Sequence, residues 1–234
     1  MAKRPVFIPQ KLGNTLVLEK EVEFTFHNGF SVSQKQKSIE SLHFSAQSSL
    51  NLSGEILEVS TKSSNEIGIE LSAFNLTLNS RNHGSLLLEA AFQGSKVFSE
   101  TGQDTYIYEL DSGSEIKKRI SRRSNQKLTK FSFDGTDWDL EPKTAFYDWL
   151  YLHALKERDN KGDVTQGLQP YGAFTDIEFN PKKSINCQAR SCALFLALRY
   201  RNLLDEALTN KQTWLSILSD FGIKPPPEEL ELDI

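Results

Sequence analysis

Residues 86–98, LLLEAAFQGSKVF, predict an apolar helix that carries one polar stripe. A helix turns by about 100° per residue, so positions i, i+4 and i+7 share a face, and Glu89, Gln93 and Lys96 have this spacing. Gly94 costs a helix roughly 1 kcal/mol relative to alanine, which favours close approach of another backbone or a ligand there. Periodicity alone, however, is more typical of a half-buried helix with its polar face in water.

Short extended segments and a turn precede this predicted helix. EILEVS (residues 55–60) and IGIEL (residues 67–71) have the composition of short strands. The turn that follows contains Ser72, Phe74 and Asn75, and we expect these side chains to lie near the entrance of the helix. Corners between a strand and a helix are common positions for ligands.

The remaining segments alternate between strand and helix patterns, which predicts an α+β fold. Extended segments are expected at residues 5–9 and 16–26, in a hairpin at residues 130–140 with an Asp-Gly turn, and at residues 174–179. Helices are expected after Ser33, after Pro142 and from residue 186 or 187 to 204. We therefore expect one domain over residues 1–222, with helices packed on a small, mostly antiparallel sheet, followed by an acidic, proline-led tail over residues 223–234.

Composition narrows the class of protein. The 234 residues are 38% hydrophobic with a formal net charge of −4, which favours a globular protein over one that coats nucleic acid by charge alone. No apolar run approaches the roughly 20 residues that span a bilayer, and the N-terminal sequence MAKRPVFIPQ lacks the order of a signal peptide. We therefore expect a cytoplasmic protein that does not associate with a membrane. We also expect Cys187 and Cys192 to be reduced thiols.

Familiar catalytic and metal-binding motifs are missing from the sequence. Walker, GxGxxG, HExxH and GxSxG patterns do not occur, and the four histidines are dispersed, so we expect neither a metal nor a cofactor. Carboxylates and aromatic residues remain as candidates. Glu89 and Asp176 are flanked by apolar residues, and Trp138 offers a stacking face. Such groups suit cleavage of a glycosidic bond through an oxocarbenium-like state.

A basic segment, KKRISRRSNQKLTK (residues 117–130), contains seven lysines and arginines and no acid. A solvated helix and loop would explain it equally well, because runs of charge usually face water. The functional alternative is a track for phosphates, which matters only if the substrate is a polyanion. The candidate DNA-binding residues are Lys117, Lys118, Arg119, Arg122 and Arg123.

Several ordered motifs together resemble the NADAR family. LSAF followed by asparagine, EAAFQGSKVF, the isolated Trp138 and the aspartate of FTDIEF have the order of the family's motifs. The segments GFSVSQKQKSIESLH, FQGSKVF, TAFYDWLY and AFTDIEFNPKKSINCQARS are similar to the branch of antitoxins paired with DarT-type DNA ADP-ribosyltransferases. The resemblance covers most of residues 5–205. Phe174-Thr175 replaces the Trp-Gly pair of the family's small-molecule branch.

The resemblance implies an N-glycosidase that removes ADP-ribose from guanine bases in DNA without a metal. Glu89 and Asp176 would be the catalytic carboxylates, and Trp138 would shape or stack in the site. Lys96 would either hold a phosphate or, with a lowered pKa, attack an opened ribose C1 as a Schiff base. Further candidate substrate-binding residues are Ser72, Phe74, Asn75, Phe92, Gln93, Lys35, Lys37, Asn186 and Arg190. Lys35 and Lys37 lie on opposite faces of their predicted helix.

The expected partners follow from this reaction. They are ADP-ribosylated DNA as substrate and ADP-ribose as product, with direct binding of the toxin left open, and the protein is expected to be a monomer. Two other functions remain: a non-enzymatic antitoxin that binds its toxin through the acidic tail, and a hydrolase of a small N-glycoside metabolite.

Overall fold

The computed structural model describes residues 1–29, 31–122, 125–160, 162, 164–182 and 184–223. Within these ranges the strands are β1 (Ala2–Pro9), β2 (Val17–Phe24), β3 (Glu55–Glu58), β4 (Thr77–Ser80), β5 (Gly84–Leu87), β6 (Lys96–Phe98), β7 (Gly102–Gln103), β8 (Leu128–Phe133), β9 (Thr136–Trp138) and β10 (Tyr171–Thr175). The helices are α1 (Val32–Ser49), α2 (Glu66–Glu70), α3 (Leu88–Gly94), α4 (Gly113–Ser121), α5 (Ala145–Asp159), α6 (Val164–Leu168), α7 (Gln188–Tyr200), α8 (Leu204–Ala207) and α9 (Lys211–Asp220). A 3₁₀ helix spans Thr105–Glu109.

The first sheet has the strand order β2-β1-β10-β3. β1 pairs antiparallel with β2 along its whole length, and β10 pairs antiparallel with β1 and parallel with β3. Alternate residues of β1 face opposite sides, so that Val6 packs with α1 and Phe7 packs with the helices of the main core. The sheet is thereby covered by α1 on one face and by α7 on the other.

A second sheet and a hairpin complete the strands. The order in the second sheet is β7-β6-β8-β9, and all of its pairs are antiparallel, while β4 and β5 form a separate hairpin. The predicted Asp-Gly turn joins β8 to β9, with φ of 48° at Asp134 and 78° at Gly135. The described part of the chain is therefore the single, mixed α+β domain with mostly antiparallel strands that the sequence predicts.

Two long helices form the centre of the molecule. On α7, residues 191–198 are all buried, as expected for a helix that is apolar on every side. α5 packs beside it, and the indole Nε1 of Trp214 on α9 donates a hydrogen bond of 2.9 Å to the carbonyl of Ala145, the first residue of α5. No helix in the described ranges has the length and apolar content needed to cross a bilayer.

The predicted helix over residues 86–98 is wrong at both ends. Leu86 and Leu87 belong to β5, where they pair with Leu78 and Thr77, and Lys96 begins β6. On either side of α3, backbone pairing with neighbouring strands therefore determines the conformation, although the residue pattern is helical. Nor does another backbone or a ligand explain Gly94, because a Cβ built there would lie 2.4 Å from Cε1 of the Tyr108 ring.

Residues 67–70 belong to the helix α2 and Leu71 caps its C-terminus, so the strand predicted over residues 67–71 is wrong. Asn65 lies in the extended region and its side-chain oxygen accepts a hydrogen bond of 3.1 Å from the N–H of Ile67, so it caps the N-terminus of α2. Gly68 packs closely against β3, since a Cβ there would lie 2.0 Å from the carbonyl oxygen of Glu58. The apolar content of this segment fits a helix or a strand, and the cap by Asn65 favours the helix.

Candidate functional site

The turn over residues 72–75 holds the start of α3, which confirms its predicted place at the helix entrance. The N–H of Glu89 donates to the carbonyl of Ala73 over 3.1 Å, and the N–H of Leu88 donates to that of Leu76 over 2.9 Å. This segment is also bound to α7, because the N–H of Ala73 donates a hydrogen bond of 2.9 Å to Oε1 of Gln188. The position of Glu89 is thus set by two backbone bonds to residues 73–76, a segment that the side chain of Gln188 holds against α7.

Glu89 and Gln93 are one helical turn apart on α3 and bind each other directly. Nε2 of Gln93 donates a hydrogen bond of 3.0 Å to Oε1 of Glu89. Burial raises the pKa of Glu89 above its ordinary 4.5, while the bond from Gln93 and the charges of Lys96 and Lys117 lower it by less. The carboxyl therefore takes up a proton more readily than an exposed glutamate.

Lys96 reaches the same place from a strand instead of from the helix. It is the first residue of β6 and pairs with Phe131 of β8, and its Nζ lies 5.0 Å from the ring centroid of Phe92. Burial lowers the pKa of the amine, and the nearby Glu89 partly opposes this effect. The predicted convergence of Glu89, Gln93 and Lys96 is present, but only Glu89 and Gln93 have helical spacing, because Lys96 lies on β6.

These side chains line a cavity of about 570 Å³, which we call the main cavity. This volume lies within the range of roughly 300–1,000 Å³ that is usual for small-molecule sites. α3, the β6-β8 pair, the segment before α5 and the loop before α7 surround it. Its lining residues are Glu89, Phe92, Gln93, Lys96, Leu128, Phe131, Leu140, Glu141, Lys143, Thr144, Tyr147, Ser184, Ile185 and Asn186.

Tyr147 is a member of this lining that the sequence did not single out. Its ring meets Phe92 edge to face, with centroids 5.1 Å apart. Burial raises the pKa of its hydroxyl well above 10, and Glu89, Cys187 and Asp176 raise it further. Tyr147 is therefore a neutral phenol near enough to Glu89 and Asp176 for both charges to raise its pKa. Only its place in the TAFYDWLY segment hinted at a role.

Asp176 does not line the main cavity. It follows β10, it is buried, and its Oδ1 accepts hydrogen bonds from the N–H groups of Glu178 (3.0 Å) and Phe179 (3.1 Å). Burial and then the nearby Glu58 raise its pKa. These bonds hold the first turn of the loop that runs to α7, whose residues 184–186 do line the cavity. The structure thus places Asp176 behind the cavity wall rather than beside Glu89.

Glu58 is a second buried carboxyl that sequence reasoning missed. It accepts hydrogen bonds from Ser60 Oγ (2.7 Å), Thr175 Oγ1 (2.7 Å) and the N–H of Ile177 (2.8 Å). Burial raises its pKa. Its place at the inward end of the apolar strand EILE was the one available signal, because a charged residue there has to find partners inside the protein.

Trp138 also lies behind the wall and not within the cavity. Only 2% of its surface is exposed, and its ring packs 5.4 Å from Phe146 and 5.0 Å from Trp149. Phe146 in turn stacks on Phe131, which lines the cavity, at 4.8 Å. Trp138 therefore shapes the site through these rings, whereas direct stacking of a substrate on it would require the core to open.

Ser72, Phe74 and Asn75 do not line the main cavity either. Ser72 is fully buried, and the Asn75 amide donates to the Ile69 carbonyl (2.8 Å) and to Ser72 Oγ (3.1 Å). Phe74 packs against the start of α4, where Nζ of Lys117 lies 4.7 Å from its ring centroid. The polar side chains of Ser72 and Asn75 form their hydrogen bonds within the turn. These residues therefore build the turn that orients α3.

The basic segment is less available than its sequence suggests. Both oxygens of Asp104 bind Arg119, at 2.6 and 2.9 Å, and Lys130 pairs with Asp137. Lys118 and Arg122 are exposed on and after α4, and Lys117 is close enough to lower the pKa of Glu89. Arg123 lies outside the described residues.

The other candidate binding residues divide between the cavity and other places. Asn186 lines the main cavity, whereas Arg190 lines a neighbouring one. Lys35 forms an ion pair of 2.9 Å with Glu178, and Lys37 is exposed on α1. Neither lysine reaches the cavity, because α1 covers the opposite face of the first sheet. Among the described residues, no group of three or more His, Cys, Asp or Glu side chains could hold a metal ion.

Comparison with known proteins assigns the chain to a family. A family model described as the DarT1-associated NADAR antitoxin matches residues 2–226. A search of curated proteins found no match. The family match covers nearly the whole chain, including every element around the main cavity. The protein therefore belongs to the family of DarT1-associated NADAR antitoxins.

Proposed function

We propose that this protein is an N-glycosidase that removes ADP-ribose from guanine bases in DNA and so reverses the modification made by a DarT-type toxin. The observation that carries the proposal is the main cavity, which both Glu89 and Lys96 line. Burial there raises the pKa of Glu89 and lowers that of Lys96, so the neutral form of each is favoured. Shifted pairs of this kind are typical of acid–base sites. Membership of the antitoxin family supports the choice of substrate.

Lys96 acts in this proposal as the attacking amine. The ribose ring first opens: the C1–O4′ bond breaks, its electron pair goes to the ring oxygen, which takes up a proton, and C1 becomes doubly bonded to the guanine nitrogen. The lowered pKa of Lys96 increases the fraction of neutral amine, whose lone pair can then add to C1. The C1–N bond to guanine then breaks, its electron pair stays with the guanine nitrogen, and that nitrogen takes up a proton. The sugar remains joined to Nζ as a protonated imine.

Glu89 acts first as the general acid and then as the general base of the same reaction. In its protonated form it donates the proton that guanine takes up, and in its ionised form it accepts a proton from the water that adds to the imine carbon. Addition of this water gives a carbinolamine. Its C1–Nζ bond then breaks, the electron pair and a proton go to nitrogen, and ADP-ribose leaves as the aldehyde, which closes again onto its ring hydroxyl, while the amine of Lys96 is freed. The bond from Gln93 keeps the Glu89 carboxyl in place throughout.

Aromatic side chains complete the site. Phe92, Phe131 and Tyr147 line the cavity and exclude water from the reacting carbon. Asp176 and Trp138 are proposed as positioning residues, since the first holds the start of the loop before α7 and the second supports the ring of Phe146. The reaction consumes one water and needs no metal.

Mass spectrometry of a defined oligonucleotide tests the proposal. A single-stranded oligonucleotide with one ADP-ribosylated guanine is incubated with the protein in the presence of a chelator. The expected products are ADP-ribose and an oligonucleotide with an intact guanine. An oligonucleotide that keeps the modification, or one that has lost the whole base, would contradict the proposed bond cleavage.

A further inference from the structure

A second cavity of about 350 Å³ adjoins the main one, and we call it the distal cavity. Both cavities are lined by Lys143, Thr144, Ser184 and Ile185, so together they form one cleft in two parts. The other residues of the distal cavity are Phe7, Glu19, Phe179, Pro181, Cys187 and Arg190. A ligand that fills the main cavity can therefore extend past these four residues into the distal one.

Arg190 lines the distal cavity and is held there by protein contacts. Its Nη1 pairs with the buried Asp148 and also lies 3.4 Å from Thr144 Oγ1. Asp148 is itself held by Ser191 Oγ (2.6 Å) and Thr144 Oγ1 (2.8 Å). In the described part of the chain, Nε and Nη2 of Arg190 have no acceptor. A rigid guanidinium with two unused donor nitrogens suits a phosphate oxygen.

The junction of the two cavities has further positive charge. Lys143 is exposed, lines both cavities and forms no ion pair with the described residues. Arg190 belongs to the first turn of the 13-residue helix α7, whose N-terminus carries a partial positive charge. Glu19 is the one carboxylate in the described lining of the distal cavity, and because it is exposed, water screens its charge.

We propose that the distal cavity binds the pyrophosphate of the ADP-ribosyl group. The ribose attached to guanine then lies against Glu89 and Lys96, and the two phosphates cross the junction between Lys143 and Arg190. This assignment rests on the proposed function, because it takes the scissile bond to lie in the main cavity. A backbone phosphate of the DNA strand has the same chemistry, so the test has to separate the two sources.

Binding of two ligands to three variants provides this test. Isothermal titration calorimetry compares free ADP-ribose with an unmodified single-stranded oligonucleotide, using wild type, Lys143→Gln and Arg190→Lys. Arg190→Lys keeps a cation beside Asp148, so the buried carboxylate is not left alone. We expect each substitution to weaken ADP-ribose binding about tenfold, which is the effect of one lost charge-assisted contact, and to leave oligonucleotide binding unchanged.

A matched control is available on β2. Lys20 is exposed and adjacent to Glu19 but faces the α1 side of the sheet, so Lys20→Gln removes the same charge without touching the cleft. It should bind ADP-ribose like wild type. Unchanged ADP-ribose affinity in both cleft variants would overturn the assignment, as would a loss confined to the oligonucleotide, which would assign the cavity to backbone phosphates.

The outcome is independent of hydrolysis. If the two variants lose ADP-ribose affinity but wild type leaves modified DNA intact, the proposed function fails and the phosphate site stands. If wild type hydrolyses modified DNA and the variants bind ADP-ribose normally, the phosphate site fails alone.

Discussion

Glu89 shows how burial and hydrogen bonding oppose each other at a single residue. Desolvation makes its charged form costly, and the Gln93 amide together with two lysines recovers part of that cost. A carboxyl in this balance exchanges its proton nearer to neutral pH than an exposed glutamate does. The residue can therefore donate a proton and then accept one within the same catalytic cycle.

The raised pKa of Glu89 predicts the acidic limb of the pH–rate profile. Breakdown of the imine needs the ionised carboxylate, so kcat, which includes this step, should fall as the pH is lowered through a midpoint above 4.5. Gln93 donates a hydrogen bond to the carboxylate and so lowers the pKa of Glu89. The variant Gln93→Leu should therefore have its midpoint at a higher pH than wild type. Steady-state rates between pH 4 and 8 would measure both midpoints, and an unmoved limb would contradict this role.

Lys96 gives a second prediction at the scale of the residue. If its amine forms the imine, borohydride should reduce the intermediate and leave ADP-ribose attached to Lys96, detectable by peptide mass spectrometry. Lys96→Arg keeps the positive charge but provides no amine nucleophile, so it should lose both the adduct and at least about 100-fold in rate. An active Lys96→Arg variant that gives no adduct would show that Lys96 only positions a phosphate.

At the scale of elements, α3 is shorter than its sequence pattern because both of its neighbours are strands. Leu87 completes a hairpin and Lys96 begins a strand, so the seven-residue helix ends at the glycine between them. The Tyr108 ring packs against that glycine, and its hydroxyl is held by Ser95 (3.1 Å) and Gln103 (3.0 Å). The position of α3 therefore depends on this contact.

Gly94→Ala tests the contact between α3 and Tyr108. Alanine improves helix propensity by about 1 kcal/mol, but its Cβ would lie 2.4 Å from a ring that its hydroxyl bonds hold in place. Overpacking of this kind costs about 1–3 kcal/mol, so we expect a net lower Tm by thermal denaturation. In a Tyr108→Leu background the same change should cost less. An equal cost in both backgrounds would contradict the packing explanation.

The elements differ in how far the sequence determines them. β1 and β2, the Asp-Gly hairpin and α7 have strong local patterns, and all are confirmed. Residues 67–71 were mistaken because capping by Asn65 competes with an apolar pattern that fits either structure. Asp176 became a candidate through its apolar neighbours and the family resemblance, and neither of these reveals which side of a cavity wall a carboxyl faces. Tyr147, Lys143 and Thr144 needed the long-range contacts of α5 with α3, which have no local pattern.

At the scale of the whole molecule, charge is distributed unevenly on an acidic chain. The net charge is −4, whereas the main cavity is lined by two lysines, Lys96 and Lys143, and two glutamates, Glu89 and Glu141, with Lys117 near Glu89. Arg119, one of the expected DNA contacts, is instead paired with Asp104, and Lys130, at the end of the basic segment, is paired with Asp137. Binding of an anionic substrate is therefore expected to depend on the cleft itself more than on a broad basic surface.

The C-terminal tail distinguishes enzymatic from binding antitoxins. Residues 224–234 lie outside the described part of the chain, and every residue proposed for the reaction lies within it. A chain that ends at residue 224 should therefore retain hydrolysis and should still protect cells that express the toxin. Colony counts with and without toxin expression would measure protection. Loss of protection with full hydrolysis in vitro would favour an antitoxin that acts by binding through its tail.

Glu89→Gln is the most direct test of the whole account. The substitution keeps the shape of the side chain and removes the group that transfers protons, so release of ADP-ribose from a guanine-modified oligonucleotide should slow by at least about 100-fold. The circular dichroism spectrum should match that of wild type, and Glu40→Gln, an exposed glutamate on α1, should react normally. Release of ADP-ribose by Glu89→Gln at the wild-type rate would contradict the assignment of the main cavity as the active site.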